Sequence, residues 1–192
     1  MSYASEASDD DAVESLRGHL LIANASLWDP NFRRTVVLIA HHDDDGAVGV
    51  VLNSVSQATV AEAIPELGSL VASDDPLFIG GPVQPQAAVV MADFEDPGVA
   101  EILALDSIGF LPPESGPDVE LSIRRARVFA GYSGWGPGQL EAELAEEAWI
   151  VEPALPDDVF APDPSRLWED VLRRKGHAFD LLRLMPADPS AN

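Results

Sequence analysis

The residues best placed to do chemistry lie in a glycine-rich segment, residues 131–141, with the sequence GYSGWGPGQLE. Its four glycines within eight residues permit positive φ angles and a close approach of the backbone to a neighbour. A strand, a tight turn and a helix in this order also form the nucleophile elbow of hydrolases, G-x-S-x-G, with Ser133 at the nucleophile position. Such an enzyme needs a histidine base and a carboxylate, and His177 follows Ser133 with several aspartates between them. A serine hydrolase is therefore the first hypothesis for this segment.

Several features of the same segment argue against chemistry there. The elbow pattern requires glycine where this chain has Trp135, whose side chain would crowd the sharp turn. A phosphate site made of backbone amides at the start of the helix is a second hypothesis, but no lysine follows, and Glu141 and Glu143 would repel an anion. The third hypothesis, which we favour, is structural: the glycines let Tyr132 and Trp135 pack at a corner between the strand and the helix.

Polar residues and glycines at the ends of other predicted strands indicate where a ligand pocket would form. Asn53 follows one strand, and Gly80-Gly81-Pro82 follows another. Strand ends are common places for pockets, and they are equally common places for turns. We predict a pocket without a catalytic residue. Its predicted residues are Asn53, Gly80, Gly81, Tyr132, Ser133, Gly134, Trp135 and Gln139.

The sequence His41-His42-Asp43-Asp44-Asp45 has the residue types of a metal site. Adjacent residues of a strand point to opposite faces, so His41 and His42 cannot easily bind one ion. No pair of ligands elsewhere in the chain supplies the missing donors at a recognisable spacing. We predict a solvated hairpin tip, no metal ion and no cofactor.

Hydrophobic runs predict a series of short strands. The clearest element is a hairpin of residues 35–40 and 47–52, joined at the strong turn sequence Asp45-Gly46. Other short runs of apolar or β-branched residues have the composition of strands. They lie at residues 19–23, 77–79, 87–92, 102–105, 108–111, 128–132 and 149–151.

Helix signals are fewer than strand signals. Thr59 and Glu62 match a capping box, which predicts a short helix, and residues 137–147 carry an apolar stripe at helical spacing. Asp163 is predicted to cap a helix that ends at Gly176. Residues 119–126 are predicted to form a further helix, and residues 177–185 are predicted to form a docked C-terminal segment. Because strands and helices alternate irregularly, we predict the α+β class with a mixed sheet.

The net charge is the most unusual bulk property of the chain, since 33 acidic residues against 11 basic ones give −22. Such a field repels polyanions, and nucleic-acid binding normally needs a cationic stripe. The two basic groups, residues 124–127 and 173–175, are short and embedded in acidic sequence, so we predict that they are solvated ends of elements. Direct nucleic-acid binding is therefore not expected.

Composition also bears on the cellular compartment. The chain has no cysteine, which excludes a disulfide framework, a thiol nucleophile and a zinc ribbon. The first 15 residues lack the basic start and apolar run of a signal peptide and are typical of an acidic disordered tail. No apolar run approaches the ~18 residues that span a membrane. We expect a cytoplasmic protein with one domain over residues 16–186 and a polar tail at residues 187–192.

Several sequence blocks, in one order along the chain, resemble the AlgH/YqgE-like family of bacterial proteins. The blocks are residues 18–23, 32–39, 46–53, 80–83, 131–135 and 139–141. The resemblance implies a single compact α+β domain with a mixed, branched or small barrel-like β-sheet flanked by helices. It supplies no catalytic residues, the position of Ser133 is often alanine in the family, and some members are labelled as transcriptional regulators. The chain departs from the family in its acidic tail, in its proline-rich residues 153–164 and in its extreme charge.

These observations predict a non-catalytic cytoplasmic regulatory or binding protein that acts through a protein or a small molecule. The alternatives are a hydrolase-like enzyme that uses Ser133 at the glycine-rich turn and a purely structural or assembly protein.

Overall fold

The structure is a computed structural model that describes residues 14–24, 27 and 29–184. Residues 1–13 of the predicted N-terminal tail (residues 1–15) and the whole predicted C-terminal tail, residues 187–192, lie outside the described residues, as does Met185. The strands are β1 (His19–Ala23), β2 (Val36–Asp43), β3 (Gly46–Val51), β4 (Val55–Thr59), β5 (Pro76–Ile79), β6 (Val83–Phe94), β7 (Ile102–Leu105), β8 (Ile108–Phe110), β9 (Ile123–Trp135) and β10 (Trp149–Pro153). The α-helices are α1 (Val60–Ala63), α2 (Pro117–Glu120), α3 (Gln139–Ala145), α4 (Pro156–Val159), α5 (Leu167–Lys175) and α6 (Asp180–Leu184), and short 3₁₀ helices lie at Pro65–Leu70, Pro97–Val99, Pro164–Arg166 and His177–Phe179.

The strands form one branched sheet. Its main path runs β10-β1-β2-β3-β9-β6-β8-β7, and β5 branches from β9 and carries β4. The β5–β9 pair is parallel and the other pairs are antiparallel. The prediction of a mixed, branched sheet in a single α+β domain is thereby confirmed. Within the described chain the path ends at β10 and β7, so the sheet is open rather than closed into a barrel.

The predicted hairpin is confirmed as β2 and β3, which pair from Val37↔Val51 to Asp43↔Gly46. At the turn, the Asp45 amide donates to Oδ1 of Asp43 over 2.9 Å. Gly46 has a φ of 130°, and a Cβ there would overlap the carbonyl oxygen of Trp135 on β9. The turn glycine is therefore required by its conformation and by the neighbouring strand.

Strand β9 forms the centre of the sheet, because it pairs with β3, β5 and β6. The prediction of a helix over residues 119–126 is wrong for its second half, since only Pro117–Glu120 is helical and β9 starts at Ile123. Three arginines within four positions favour a helix by propensity alone. Pairing of the first half of β9 with β6, from Ile123 to Val128, overrides that local preference.

The sheet is covered on both faces. Along β1, Leu20 and Ile22 pack in the core under α5, while Leu21 and Ala23 pack in the core beside α3. Successive strand residues point to opposite faces, so this apolar run indicates burial on both sides. A third, smaller core lies between α1 and β9. No helix among the described residues is long and apolar enough to cross a membrane.

The capping signals are confirmed in most details. The Thr59 amide donates to Glu62 Oε2 over 3.0 Å, and the Glu62 amide donates to Thr59 Oγ1 over 3.2 Å at the start of α1. Asp163 caps the 3₁₀ turn Pro164–Arg166, which leads into α5, rather than α5 itself. Helix α5 ends at Gly176, as predicted.

Asn53 joins two turns of the backbone. Its Oδ1 accepts from the Val36 amide over 2.8 Å and its Nδ2 donates to the Arg34 carbonyl over 2.9 Å. Arg34 has a φ of 52°, so the side chain holds a turn that the backbone alone does not favour.

We expect Asn53→Ala to lower the free energy of unfolding by about 1–3 kcal/mol, because it leaves a part-buried amide and carbonyl unpaired. Urea unfolding followed by tryptophan fluorescence measures the loss. Asn31→Ala is the control, because Asn31 bonds only to exposed Asp29 beside it. Equal stability of the Asn53 variant and wild type would contradict this role.

Candidate functional site

The glycine-rich turn joins β9 to α3 at a packed corner. The Trp135 ring stacks on Phe32 with centroids 6.1 Å apart and meets the Trp149 ring edge to face. The indole nitrogens of Trp135 and Trp149 both donate to Oε2 of Glu143, over 2.9 Å and 2.7 Å. Gln139 accepts from the Gly136 amide and donates to Oε1 of Glu143. The predicted packing of Trp135 at the strand–helix corner is therefore confirmed.

Gly80-Gly81 lies directly against residues 131–133 of β9, so the structure brings these two predicted groups together. A Cβ on Gly80 would overlap the Gly131 carbonyl oxygen, and a Cβ on Gly81 would overlap the Tyr132 carbonyl. The Gly80 carbonyl accepts from the Val51 amide over 2.9 Å and from Ser133 Oγ over 3.0 Å. Because Gly80 and Gly81 have no side chains, their backbone can cross the backbone of β9 in van der Waals contact; we call this the glycine crossing.

Ser133 has no exposed surface, and its hydroxyl donates to a backbone carbonyl. The four histidines, all within the described residues, bond elsewhere. His19 contacts the Arg17 carbonyl, His41 contacts Asp43, His42 contacts Leu16 and Glu141, and His177 contacts Asp180. No histidine is therefore positioned to act as a base for Ser133.

The polar groups of the predicted pocket are used within the protein, as the hydrogen bonds of Asn53, Ser133, Trp135 and Gln139 show. None of these four side chains lines the larger clefts described below. Their assignment to a ligand pocket stays a prediction.

The two adjacent histidines of the hairpin differ in exposure. His41 is exposed and bonds to Asp43, and this hydrogen bond lowers the pKa of Asp43. The His42 side chain is only 2% exposed. Its Nδ1 accepts from the Leu16 amide over 3.0 Å, which assigns the proton to Nε2, facing Glu141 Oε1 at 2.7 Å. The prediction of a solvated tip is wrong for His42, because the chain before β1 and helix α3 cover it.

No group of three or more histidine, aspartate or glutamate side chains in the described part of the chain is arranged to bind a metal ion. His41 and His42 point to opposite faces, as the alternation of a strand requires.

A cleft of about 350 Å³ lies at the other end of β9, and we call it the arginine cleft. It is formed by parts of residues 71–78, of residues 125–128 on β9 and of residues 160–164. Two guanidinium groups lie over aromatic rings in its wall. Arg125 is 4.2 Å from the Phe160 ring centroid and Arg127 is 4.4 Å from that of Phe78. Stacking of this kind fixes the plane of a guanidinium.

Arg127 is held by backbone carbonyls rather than by a carboxylate. Its terminal nitrogens donate to the carbonyls of Val159, over 2.7 Å, and of Ala161. Burial lowers the pKa of Arg127 to about 10, so the group stays charged at neutral pH. The described residues place no carboxylate oxygen within 4.0 Å of it. The cleft wall therefore carries a half-buried positive charge without an ion pair.

Arg124 and Arg125 share one buried carboxylate on β6. Arg124 donates to Oδ1 of Asp93 over 2.9 Å, and Arg125 donates through Nε to Oδ2 over 3.3 Å. Ser107 completes the cluster with a 2.7 Å hydrogen bond to Asp93. Arg124 and Arg125 are exposed near the start of β9, as predicted, although both pair with Asp93. The prediction of solvated element ends is wrong for Arg127, which is half buried in the cleft wall because the segment after β10 lies beside β9.

The basic residues of α5 were also predicted to be solvated, and the structure differs from this for two of the three. Arg173 is half exposed and pairs with Asp170 in its own helix. Arg174 pairs with the buried Asp158, and Lys175 pairs with Glu152 on β10 over 3.0 Å. Two of the three residues therefore attach α5 to its neighbours.

We expect the stability of the Asp93→Asn variant to fall less steeply than that of wild type as the pH is lowered. Burial alone raises the pKa of Asp93, but hydrogen bonds from Ser107, Arg124 and Arg125 outweigh it and hold the pKa below its ordinary 3.8. A carboxylate with a lowered folded pKa stabilises the fold above its unfolded pKa, and this contribution is lost as pH falls through the folded value. Wild type should therefore lose more stability than Asp93→Asn as pH falls below about 3.8.

Urea unfolding at pH 7 and at pH 3 measures the difference. Asp106→Asn, at an exposed turn between β7 and β8, is the control and should keep the pH dependence of wild type. An equal loss of stability in wild type and Asp93→Asn would contradict the prediction.

The open, branched sheet with its glycine crossing defines a class of α+β domain that other chains share. A family model described as AlgH-like matches residues 20–180. A UPF0301 protein of Streptomyces avermitilis is 40% identical over 189 residues, covering 94% of this chain and 97% of the relative. One of Mycobacterium ulcerans is 41% identical over 181 residues, covering 91% and 90%. The chain therefore belongs to the AlgH-like family.

Two solved structures share the fold. The crystal structure of a protein from Corynebacterium diphtheriae has a TM-score of 0.78 and 32% identity, covering 88% of this chain and 91% of that one. The solution structure of the AlgH protein from Pseudomonas aeruginosa has a TM-score of 0.69 and 28% identity, covering 97% and 98%. The resemblance inferred from the sequence blocks is confirmed.

Proposed function

We propose that this protein is a non-catalytic cytoplasmic regulatory or binding protein that acts through a protein or a small molecule bound at the arginine cleft. One observation carries the proposal. Arg127, charged and half buried, lies in the wall of a cleft of about 350 Å³ and has no carboxylate within ion-pair distance among the described residues. Clefts of this volume, with few well-placed polar groups, are typical of binding sites.

The choice of binding over catalysis rests on the surroundings of Ser133. A nucleophile must be reached by substrate and activated by a base. The Ser133 hydroxyl is buried and donates to the Gly80 carbonyl instead. Around the arginine cleft, the polar side chains are arginines and Asp75, a set suited to recognition by charge.

Charge supports a protein or small-molecule partner over DNA. The net charge of −22 repels a polyanion along its whole length, and Asp93 already pairs with two of the three arginines on β9. Any role in transcriptional regulation would then be exerted through such a partner. The cytoplasmic assignment is supported by the absence of cysteine, which fits a reducing compartment.

A thermal-shift screen of small molecules, followed by amide hydrogen exchange on each ligand found, tests the proposal. A ligand at a hundred times its dissociation constant should stabilise the protein by about 2.7 kcal/mol. We expect slower exchange in residues 71–78, 125–128 and 160–164 and recovery of the ligand unchanged. Protection confined to residues 131–141, chemical turnover of the ligand, or a sequence-specific shift of a DNA fragment at low protein concentration would each contradict it.

A further inference from the structure

We infer that the arginine cleft binds a small organic anion, in which a carboxylate or phosphate group is attached to an apolar body. This inference rests on the proposed function, because it names the chemical class of ligand for the same cleft.

Arg125 supplies the unused donors. Its Nε donates to Asp93, and its NH1 makes an ion pair with exposed Asp157 at 3.8 Å, which is too long for a hydrogen bond. Within the described residues its two terminal nitrogens therefore keep their donors for a ligand. Two terminal nitrogens of one guanidinium can bind a planar or tetrahedral oxyanion in a bidentate manner.

Arg127 supplies the charge. Its hydrogen bonds to two backbone carbonyls hold the group in position without neutralising it. The nearest acid in the wall, Asp75, acts on it through space, and one of the Asp75 oxygens is already bonded to the Ala72 amide over 2.9 Å. An anion in the cleft would face two cations in partly desolvated surroundings, where charge pairing is stronger than in water.

The rest of the wall selects against a bare inorganic ion. Val71, Pro76, Val128 and Ala161 are apolar, and Val71 and Pro76 keep part of their surface exposed. A second hollow of about 340 Å³ shares Arg125 and extends past Leu70 and Leu121. An apolar body attached to the anionic group would therefore displace water from apolar surface.

Titration of the full chain with four probes, observed by amide NMR shifts, tests the inference. The probes are benzoate, phenyl phosphate, neutral benzamide and inorganic phosphate. We expect benzoate, phenyl phosphate or both to shift amides of residues 71–78, 125–128 and 160–164, with benzamide and inorganic phosphate at least tenfold weaker. Comparing benzoate with phenyl phosphate identifies the preferred anionic group.

Arg125→Gln and Arg127→Gln should each lower the affinity for whichever anion binds more tightly by about tenfold or more, as expected for loss of a charged hydrogen bond. Arg173→Gln, which removes a half-exposed arginine from α5, should leave affinity unchanged. Since Arg127 also holds two carbonyls of the fold, Arg125→Gln decides the question where Arg127→Gln does not fold.

Equal binding of benzamide, equal binding of inorganic phosphate, unchanged affinity in Arg125→Gln, or no response to any probe would overturn the inference. The proposed function would still stand in these cases if the thermal-shift screen finds a neutral ligand that protects the cleft. Failure of that screen as well would remove both.

Discussion

Gly81→Ala is expected to destabilise the fold by about 3 kcal/mol or more. Gly81 has a φ of 151°, in a region that residues with a side chain rarely adopt. A Cβ there would also overlap the carbonyl of Tyr132 and the amide of Ser133. These obstacles are backbone atoms of the central strand, so they cannot move aside as a flexible side chain can.

Gly136→Ala is the matched control, because it adds the same methyl group within the glycine-rich turn. An added Cβ there meets no atom within 4 Å, and the residue does not have a positive φ. We expect a change of no more than about 0.5 kcal/mol. Urea unfolding of both variants measures the difference, and similar effects of the two substitutions would show that the glycine crossing does not limit stability.

Asp158→Asn is expected to cost about 2–4 kcal/mol, because it disrupts the buried ion pair that links α5 to α4. Asp158 is buried and accepts from both terminal nitrogens of Arg174, over 2.8 Å and 2.9 Å, and from the Leu155 amide over 2.8 Å. The hydrogen bonds to Asp158 raise the pKa of Arg174. An amide has one acceptor oxygen and no charge, so the variant removes at least one hydrogen bond and the ion pair with Asp158 from a partly buried guanidinium.

The control for this prediction is Asp170→Asn on the same helix. Asp170 is about half exposed and pairs with Arg173 one turn away. Surface pairs of this kind contribute less than about 1 kcal/mol. Thermal unfolding of the two variants under one set of conditions compares them, and an Asp158 variant as stable as the Asp170 variant would contradict the role assigned to the buried pair.

Local patterns predicted the elements whose structure is decided locally. The hairpin of β2 and β3 follows from its turn sequence, and the capping box at Thr59 forms as its spacing indicates. The first half of β9 could not be predicted in this way, because its conformation is imposed by β6, thirty residues earlier in the chain. The same holds for His42, whose burial depends on Glu141 from α3.

The candidate site was predictable only in part. The glycine blocks marked the family correctly, but their role depends on the crossing between Gly80-Gly81 and Gly131, which no local pattern shows. The arginine cleft is built from three segments far apart in the sequence. One signal for it was present: three of the 11 basic residues fall within residues 124–127 of a very acidic chain. We interpreted that concentration as solvated ends of elements, because the sequence alone does not show that residues 71–78 and 160–164 lie beside it.

The central claim is that ligands bind at the arginine cleft and not at the glycine-rich turn. It is tested most directly by the thermal stabilisation that the strongest ligand of the screen produces in wild type, Arg125→Gln and Ser133→Ala. The account predicts that Arg125→Gln loses most of the ligand-induced shift, while Ser133→Ala, although less stable without ligand, keeps the full shift. Loss of the shift in Ser133→Ala with a full shift in Arg125→Gln would contradict it.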